Sequence, residues 1–184
     1  MRYKFIVSLS VFLGTFCAVK AATWETMFAY NAVTQIAVAQ DKVYALSGNT
    51  IFSVNKHSDQ IEIYDSASGL HGNSIGCIYY DQGTDILLLG YTNGKIDLIR
   101  NGVIEYVSGL YTKDMTANKY INNITVYKGR AYLSMDFGIV TFNLKKHELV
   151  DTYYIGDGSS EVKVKDILFI GDSIYAFSES LVYK

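Results

Sequence analysis

The sequence predicts an all-β fold made of a repeated four-stranded antiparallel sheet. The first observation is a repeat, because Ile36, Ile78, Ile124 and Ile167 hold matching places and are separated by 42, 46 and 43 residues. The second is composition: the 184 residues include 15 Gly, 16 Tyr, 9 Phe and no Pro. Glycine permits tight turns, and aromatic residues favour strands. A period of about 40–50 residues with four strands per unit is typical of a β-propeller blade.

The clearest unit is residues 120–156, which read as four strands in order. Runs rich in Val, Ile, Tyr, Phe and Thr alternate with breaks at 128–130, 136–138 and 145–148 that hold turn formers or charges. Weaker copies lie on both sides. One blade cannot bury its own apolar faces, so blades stack around an axis. We therefore predict a partial β-propeller of about three and a half four-stranded blades; a β-sandwich is the alternative.

The predicted blades cover about residues 35–75, 76–121, 122–165 and 166–184. Their predicted strands are 35–39, 43–47, 51–54 and 61–64; 77–80, 86–91, 96–99 and 103–106; 124–127, 131–135, 139–144 and 149–154; and 166–170, 173–177 and 181–183. Tyr44, Leu87, Tyr132 and Tyr175 follow the repeated isoleucines at similar spacing. This regularity favours packing between blades over a role in ligand binding.

The first segment has the pattern of a secretory signal peptide over residues 1–21. Arg2 and Lys4 precede an apolar run over 5–19, which is short for a membrane span. Cleavage is expected after Ala21 or Ala22. It would remove Cys17 and leave Cys77 as the single thiol, which we expect to be buried rather than reactive. Residues 22–34 form a lead-in at the place where a ring-closing strand would lie.

The fourth predicted repeat stops before a fourth strand. About half of a ring would leave strand edges and apolar blade faces uncovered, which favours association with other chains. We therefore expect the sequence to be an N-terminal piece of a longer protein or an interrupted reading frame.

Composition and motifs argue against several functions. The formal net charge is −2 and no basic run occurs, so a nucleic-acid partner is not expected. His57, His71 and His147 are scattered in predicted loops without a zinc spacing, and we expect them to be solvated, with no metal or cofactor. Residues 72–76 match the G-x-S-x-G pattern of serine hydrolases, but a strand rather than a helix should follow. The sequence therefore indicates a non-enzymatic protein.

Tyr91, Asn93 and Asp97 are the candidate binding residues. They bracket a predicted tight hairpin that contains an Asn-Gly pair. Asp97 is a charged residue inside an apolar strand, so we expect it to cap a turn or to face solvent. Ligand binding by these three residues is the alternative.

Four stretches carry a resemblance to a known family. They are YTNGKIDLI at residues 91–99, the long run at 119–156, WETMFAYNAVTQIA at 24–37 and SGLHGNSI at 68–75. Together they resemble the N-terminal propeller of the PorZ family, a component of the Por, or type IX, secretion system. The resemblance covers nearly all of the chain that follows the predicted signal peptide.

The resemblance implies a non-catalytic binding and assembly module. Members of the family are exported proteins with two propellers and a C-terminal β-sandwich that serves as a secretion signal. They lie at the outer surface with the sortase PorU and its partners PorV and PorQ. That assembly attaches cargo proteins to anionic lipopolysaccharide, which members of the family are thought to bind and help deliver. The resemblance thus implies PorU-, PorV- and PorQ-like partners and a location in the periplasm or at the outer membrane.

Two other functions remain open from the sequence. One is the periplasmic ligand-sensing propeller of a hybrid two-component regulator, whose blades have similar sequence patterns. The other is a propeller enzyme such as a lactonase or glycosidase, which would need converging carboxylates or metal ligands at the mouth of the ring. The sequence shows no such set, and fold alone does not decide among these functions.

Overall fold

The computed structural model describes residues 32–58 and 60–184 and confirms the all-β prediction. Its strands form four antiparallel sheets, each a meander in which neighbours in sequence are neighbours in the sheet. Three sheets have four strands and the last has three, so the partial propeller of about three and a half blades is confirmed. The predicted signal peptide, the cleavage residues Ala21 and Ala22 and the lead-in up to residue 31 lie outside the described residues.

The strands alternate with short turns along the chain. Blade 1 contains β1 (Val33–Val38), β2 (Lys42–Ser47), β3 (Thr50–Asn55) and β4 (Ile61–Tyr64); blade 2 contains β5 (Ile75–Asp81), β6 (Ile86–Tyr91), β7 (Ile96–Arg100) and β8 (Val103–Val107); blade 3 contains β9 (Ile121–Tyr127), β10 (Arg130–Met135), β11 (Gly138–Asn143) and β12 (Glu148–Tyr153); and blade 4 contains β13 (Asp166–Ile170), β14 (Ser173–Phe177) and β15 (Val182–Tyr183). A one-turn helix, α1 (Gly109–Thr112), lies between β8 and β9.

Two hairpins show how the sequence sets the local turns. Asn101 and Gly102 connect β7 to β8 with φ of 50° and 76°, and Lys128 and Gly129 connect β9 to β10 with φ of 48° and 74°. Two consecutive positive φ angles are those of a two-residue turn whose twist matches the flanking strands. The backbone of each turn is therefore specified by the residues within the turn.

Blades stack through their first strands. β1 lies beside β5, β5 beside β9 and β9 beside β13, so the first strand of each blade is the inner one. Three apolar clusters fill the spaces between successive blades. Leu87 and Leu89 face blade 1, whereas Ile86 and Leu88 on the same strand face blade 3. Strand β6 is buried along its whole length because both of its faces are covered.

Strand pairing corrects one predicted correspondence. Ile36, Ile78, Ile124 and Ile167 pair with Ala45, Leu89, Leu133 and Ala176. Tyr44, Tyr132 and Tyr175 each precede such a partner, so the matching residue of blade 2 is Leu88 and the prediction of Leu87 was wrong. The cause is the β5–β6 hairpin, which is longer than the β1–β2 hairpin by one residue pair.

Several predicted boundaries also shift. The first strand begins at Val33, so the lead-in is shorter than the predicted 22–34. The inner strands β5 and β9 begin at Ile75 and Ile121, one residue before their predicted blades. Ile121 is fully buried against blade 2, which extends the strand into a stretch whose polar composition resembles a loop. The helix α1 was not predicted from the sequence.

Candidate binding site on the crossover face

One face of the arc carries all the connections between blades. Strand direction alternates within each meander, so the crossovers β4–β5, β8–β9 and β12–β13 emerge at the same end as the β2–β3, β6–β7 and β10–β11 turns. We call this end the crossover face. Loops on one face of a rigid scaffold are the usual place for binding residues.

Asp97 is the least expected residue near this face. Its side chain is 0% exposed although it lies in β7. The carboxylate accepts hydrogen bonds from the Tyr91 hydroxyl at 2.6 Å and from the His71 backbone N–H at 2.9 Å, and its other oxygen is 2.9 Å from Nδ1 of His71. Asp97 does not face solvent, and the backbone group that its carboxylate caps is the His71 N–H of the β4–β5 crossover. A buried carboxylate is tolerated here because donors on two different segments satisfy it.

The position of Asp97 departs from the repeat. Asp97 pairs with Leu89, and the same row holds Phe52 in blade 1 and Val140 in blade 3. A residue required only for blade packing would follow the apolar pattern of its neighbours. The exception is accounted for by the polar contacts that Asp97 makes with Tyr91 and His71.

Asp97 holds the β4–β5 crossover (residues 65–74) against blade 2. The ring of His71 stacks on Tyr106 of β8, with ring centres 4.6 Å apart and planes at 9°. Lys95 Nζ donates to the His71 carbonyl at 2.7 Å, and Lys95 lies over the Tyr106 ring at 5.8 Å from its centre. The crossover is therefore held at His71 through its backbone N–H, its imidazole ring and its backbone carbonyl.

Tyr91 is a buried donor in this arrangement. Burial, the hydrogen bond to the Asp97 carboxylate and the negative charge of that carboxylate raise the pKa of Tyr91 above its ordinary range. Gly72 lies against this ring, since a Cβ at Gly72 would be 2.2 Å from Tyr91 Cδ1. Glycine at position 72 thus lets the crossover backbone pass over Tyr91.

Asn93 does not join the other two predicted residues. It is exposed at the tip of the β6–β7 turn, where its Oδ1 accepts a hydrogen bond from the Lys95 backbone N–H at 3.2 Å. The structure therefore brings Tyr91 and Asp97 together and leaves Asn93 outside. Sequence reasoning also missed His71, Lys95, Tyr106 and Tyr111, whose sequence separations give no sign of their proximity.

The three histidines lie in loops, as expected, and two of them also contact a carboxylate. His71 contacts Asp97, and His147 Nδ1 is 2.8 Å from Glu105 of the preceding blade. His57 is mostly exposed, 3.6 Å from Asp41. His71 and His147 therefore keep 41% and 25% of their side chains exposed, and each also contacts a carboxylate because the loop that carries it folds back onto β7 or β8. Across residues 32–58 and 60–184, no three His, Cys, Asp or Glu side chains are grouped as metal ligands would be.

Other sequence motifs have structural surroundings. Ser74 of the G-x-S-x-G pattern precedes strand β5, not a helix. Asn123, Ile124 and Thr125 match the N-x-[ST] pattern of a glycosylation acceptor, and the Asn123 side-chain amide donates to Asp166 at 2.6 Å. Cys77 is fully buried, and burial raises the pKa of its thiol to about 12, so the thiolate is scarce at neutral pH. The part of the chain that the structure describes contains no helix long and apolar enough to cross a membrane.

Two clefts lie away from this cluster. One of about 520 Å³ opens between blades 3 and 4 and is lined mainly by aromatic and aliphatic side chains, among them Tyr132 and Phe169. Another of about 310 Å³ lies between blades 1 and 2 on the opposite face, beside the stacked rings of Tyr44 and Tyr80. Neither contains Tyr91 or Asp97.

Solved structures show the same fold at low sequence identity. PorZ of Porphyromonas gingivalis, described as an essential bacterial surface component of the type IX secretion system, matches with a TM-score of 0.71 and 24% identity over 82% of this chain. The extracellular domain of a hybrid two-component system from B. thetaiotaomicron matches with a TM-score of 0.66 and 15% identity over 83% of this chain. The chain spans 20% of the length of each.

No curated protein sequence matches the chain. The model of the family described as the N-terminal β-propeller domain of PorZ matches residues 43–184, which is most of the chain. The matched region includes blades 2 to 4 and blade 1 from Val43 in β2 onward. The chain therefore belongs to the family of PorZ N-terminal β-propeller domains of the type IX secretion system.

Proposed function

We propose that this propeller is a non-catalytic binding and assembly module of the type IX secretion machinery. The observation that carries the proposal is the family match over residues 43–184. The crossover face supports it, because Asp97 is buried and engaged by three donors. A carboxylate in that state positions a loop and is poorly placed to exchange protons with a substrate.

The proposed partners are those that the family resemblance implies. They are PorU-, PorV- and PorQ-like proteins and anionic lipopolysaccharide, met outside the cytoplasm at the periplasmic or outer-membrane surface. The exposed Tyr111 and the half-buried Lys95 on the crossover face suit contact with a polar partner.

Capture of lipopolysaccharide by the immobilised chain tests this function. Lipopolysaccharide from a bacterium that has a type IX system should be retained, and lipopolysaccharide from a bacterium without one should be retained less. The test variant is Asp97→Asn, which weakens the contacts that fix the β4–β5 crossover and should weaken capture, and thermal melting checks that it remains folded. Equal retention of both lipopolysaccharides, or none of either, would count against the proposal.

A ligand-sensing propeller of a two-component regulator is the second candidate. It is favoured by the extracellular-domain structure that matches with a TM-score of 0.66. Reading the genomic DNA beyond the codon for Lys184 separates the two functions. A second propeller and a β-sandwich there would support the secretion module, whereas a membrane span followed by a kinase domain would support the sensor.

A further inference from the structure

Two lysines flank an exposed tyrosine on the crossover face. Tyr111, in α1, is 45% exposed. Lys95 Nζ lies 4.9 Å from the centre of its ring, and Lys119 Nζ donates to the Tyr111 carbonyl at 2.7 Å and to the Lys113 carbonyl at 2.5 Å. We call Lys95, Tyr106, Tyr111, Lys113 and Lys119 the lysine–tyrosine surface. It joins the β6–β7 turn to the β8–β9 crossover.

Both ammonium groups are held in place by backbone carbonyls. Lys95 uses one donor on the His71 carbonyl, and Lys119 uses two on the carbonyls of Tyr111 and Lys113. An ammonium group has three donors, so Lys95 keeps two and Lys119 keeps one. The Lys119 stem packs on the β6–β7 turn, since a Cβ at Gly94 would be 2.9 Å from Lys119 Cβ. The positive charges are therefore positioned before any ligand arrives, which lowers the entropic cost of binding.

The charges of these lysines are not neutralised by nearby carboxylates. No described Asp or Glu lies within 4.0 Å of Lys95 Nζ or Lys119 Nζ, whereas Lys163 and Lys165 lie 3.9 Å and 3.5 Å from Asp136 and Glu179. Asp114 is the one acidic residue among residues 108–120 and is exposed. The lysine–tyrosine surface is thus locally positive on a chain whose formal net charge is −2.

We propose that the lysine–tyrosine surface binds a negatively charged group carried on a sugar. The uncompensated ammonium groups of Lys95 and Lys119 supply the attraction for phosphate or carboxylate oxygens. The exposed Tyr111 ring supplies an apolar face against which a sugar ring packs, with its hydroxyl available for hydrogen bonding. As a statement about lipopolysaccharide, the assignment rests on the proposed function, for which it names the contact surface.

Titration of the full chain with three small probes tests the surface directly. Backbone amide signals of residues 94–95 and 108–119 should shift with glucose 6-phosphate, and less with inorganic phosphate or glucose. The Lys95→Gln, Lys119→Gln double variant should weaken glucose 6-phosphate binding at least about tenfold, since two ammonium contacts are lost. The Lys163→Gln, Lys165→Gln double variant is the control on the same face and should bind within about twofold of wild type.

Each other outcome overturns part or all of the assignment. Equal affinity for inorganic phosphate and glucose 6-phosphate would show a simple anion site to whose binding the sugar does not contribute. Equal affinity for glucose and glucose 6-phosphate would show that the charge does not contribute. Shifts confined to other residues, or the same loss in both double variants, would overturn the surface itself. Thermal melting of all variants confirms that each remains folded.

Lipopolysaccharide capture separates this inference from the proposed function. If wild type and the Lys95→Gln, Lys119→Gln variant retain lipopolysaccharide equally, the assignment of the lysine–tyrosine surface is wrong, while the proposed binding function stands. If wild type retains none but still binds glucose 6-phosphate at this surface, the proposed ligand is wrong while the surface stands.

Discussion

Blades 1 and 2 have the same four-stranded pairing but opposite surroundings. Ile36 and Ile78 occupy the same place in β1 and β5, and they are 65% and 6% exposed. Among the described residues, blade 2 lies between blades 1 and 3, whereas blade 1 is covered on one face only. The comparison shows that local pairing determines the sheet and that the neighbouring blade determines how much apolar surface leaves water.

The same two blades differ in the residues that share a row with these isoleucines. The row of Ile36 continues through Ala45 and Phe52, and the row of Ile78 continues through Leu89 and Asp97. Blade 2 therefore combines the fullest burial with a carboxylate that Tyr91 and the β4–β5 crossover satisfy together. Its stability should depend on specific polar contacts more than that of blade 1.

The largest expected effect comes from placing a charge at the shared isoleucine position. Ile78→Asp should lower the free energy of unfolding by about 4 kcal/mol or more, because an unpaired carboxylate would be buried between two blades. Ile36→Asp should cost less than about 1 kcal/mol, because its side chain already faces water. Denaturant unfolding followed by circular dichroism measures both. Similar losses in the two variants would mean that the outer face of blade 1 is covered in solution.

The next effect concerns the carboxylate itself. Asp97→Ala should cost about 3 kcal/mol, because the Tyr91 hydroxyl and the His71 N–H would each lose a buried acceptor. Asp97→Asn keeps an acceptor oxygen and should cost about half as much. Hydrogen exchange of the His71 amide should quicken in both variants relative to amides of β3 in blade 1. Unchanged exchange at His71 would contradict the role given to Asp97.

A methyl group at Gly72 tests whether the crossover must pass so close to blade 2. Gly72→Ala should cost about 2 kcal/mol, because its Cβ would overlap the buried Tyr91 ring. Gly83→Ala is the matched control, since its Cβ would meet only the Asp81 side chain at 3.4 Å, and it should change stability by less than about 0.5 kcal/mol. Thermal melting compares the two. Equal melting temperatures would show that the crossover shifts freely.

Much of the fold was predictable because its signals are local. The hairpins at Asn101-Gly102 and Lys128-Gly129 are set by neighbouring residues, and the repeat spacing of the isoleucines gives the number of blades. The boundaries of β5 and β9 were missed because burial of Ile121 comes from another blade. Leu87 was placed wrongly since a longer hairpin changes the register without changing the apolar pattern.

Less of the candidate site was predictable. The choice of Tyr91 and Asp97 was predictable, because a charge in an apolar strand is visible in the sequence, and the structure places the two side chains in contact. Their environment was not, since His71 reaches Asp97 across 26 residues and a crossover without periodicity. Lys95 and Tyr111 meet through two different turns. Asp97 stands where blades 1 and 3 have Phe52 and Val140, and this difference was the one sequence signal that could have pointed to the buried cluster.

The tyrosine–carboxylate pairs of both blades should lose their contribution to stability at alkaline pH, and the pair in blade 2 has the larger contribution to lose. Burial raises the pKa of Tyr91, so its contribution is complete below the unfolded value of about 10 and is lost as pH rises through the folded value. Tyr91→Phe should cost about 1–2 kcal/mol at neutral pH, and its deficit relative to wild type should shrink above about pH 10.

Tyr64→Phe is the counterpart in blade 1, where the hydroxyl donates to the half-exposed Glu62 at 2.8 Å. Burial also raises the pKa of Tyr64, so the direction is the same. The neutral-pH cost should be smaller, because water can replace the lost hydroxyl at Glu62. Denaturant unfolding of both variants at neutral and alkaline pH measures the difference. If the loss of unfolding free energy in Tyr91→Phe relative to wild type grew with pH, the predicted direction of the pH dependence would be wrong.

The smallest expected effects lie at the turn tips, where the two blades should become alike. Asn93→Ala and Asn49→Ala change exposed residues of the β6–β7 and β2–β3 turns. Each should change the free energy of unfolding by less than about 0.5 kcal/mol, because the Asn93 side chain makes one long hydrogen bond to the exposed Lys95 N–H. If Asn93→Ala instead matched Asp97→Ala in cost or in hydrogen exchange at His71, the turn tip would be part of the buried cluster. The contrast between the blades would then extend to the exposed polar turn that joins β6 to β7.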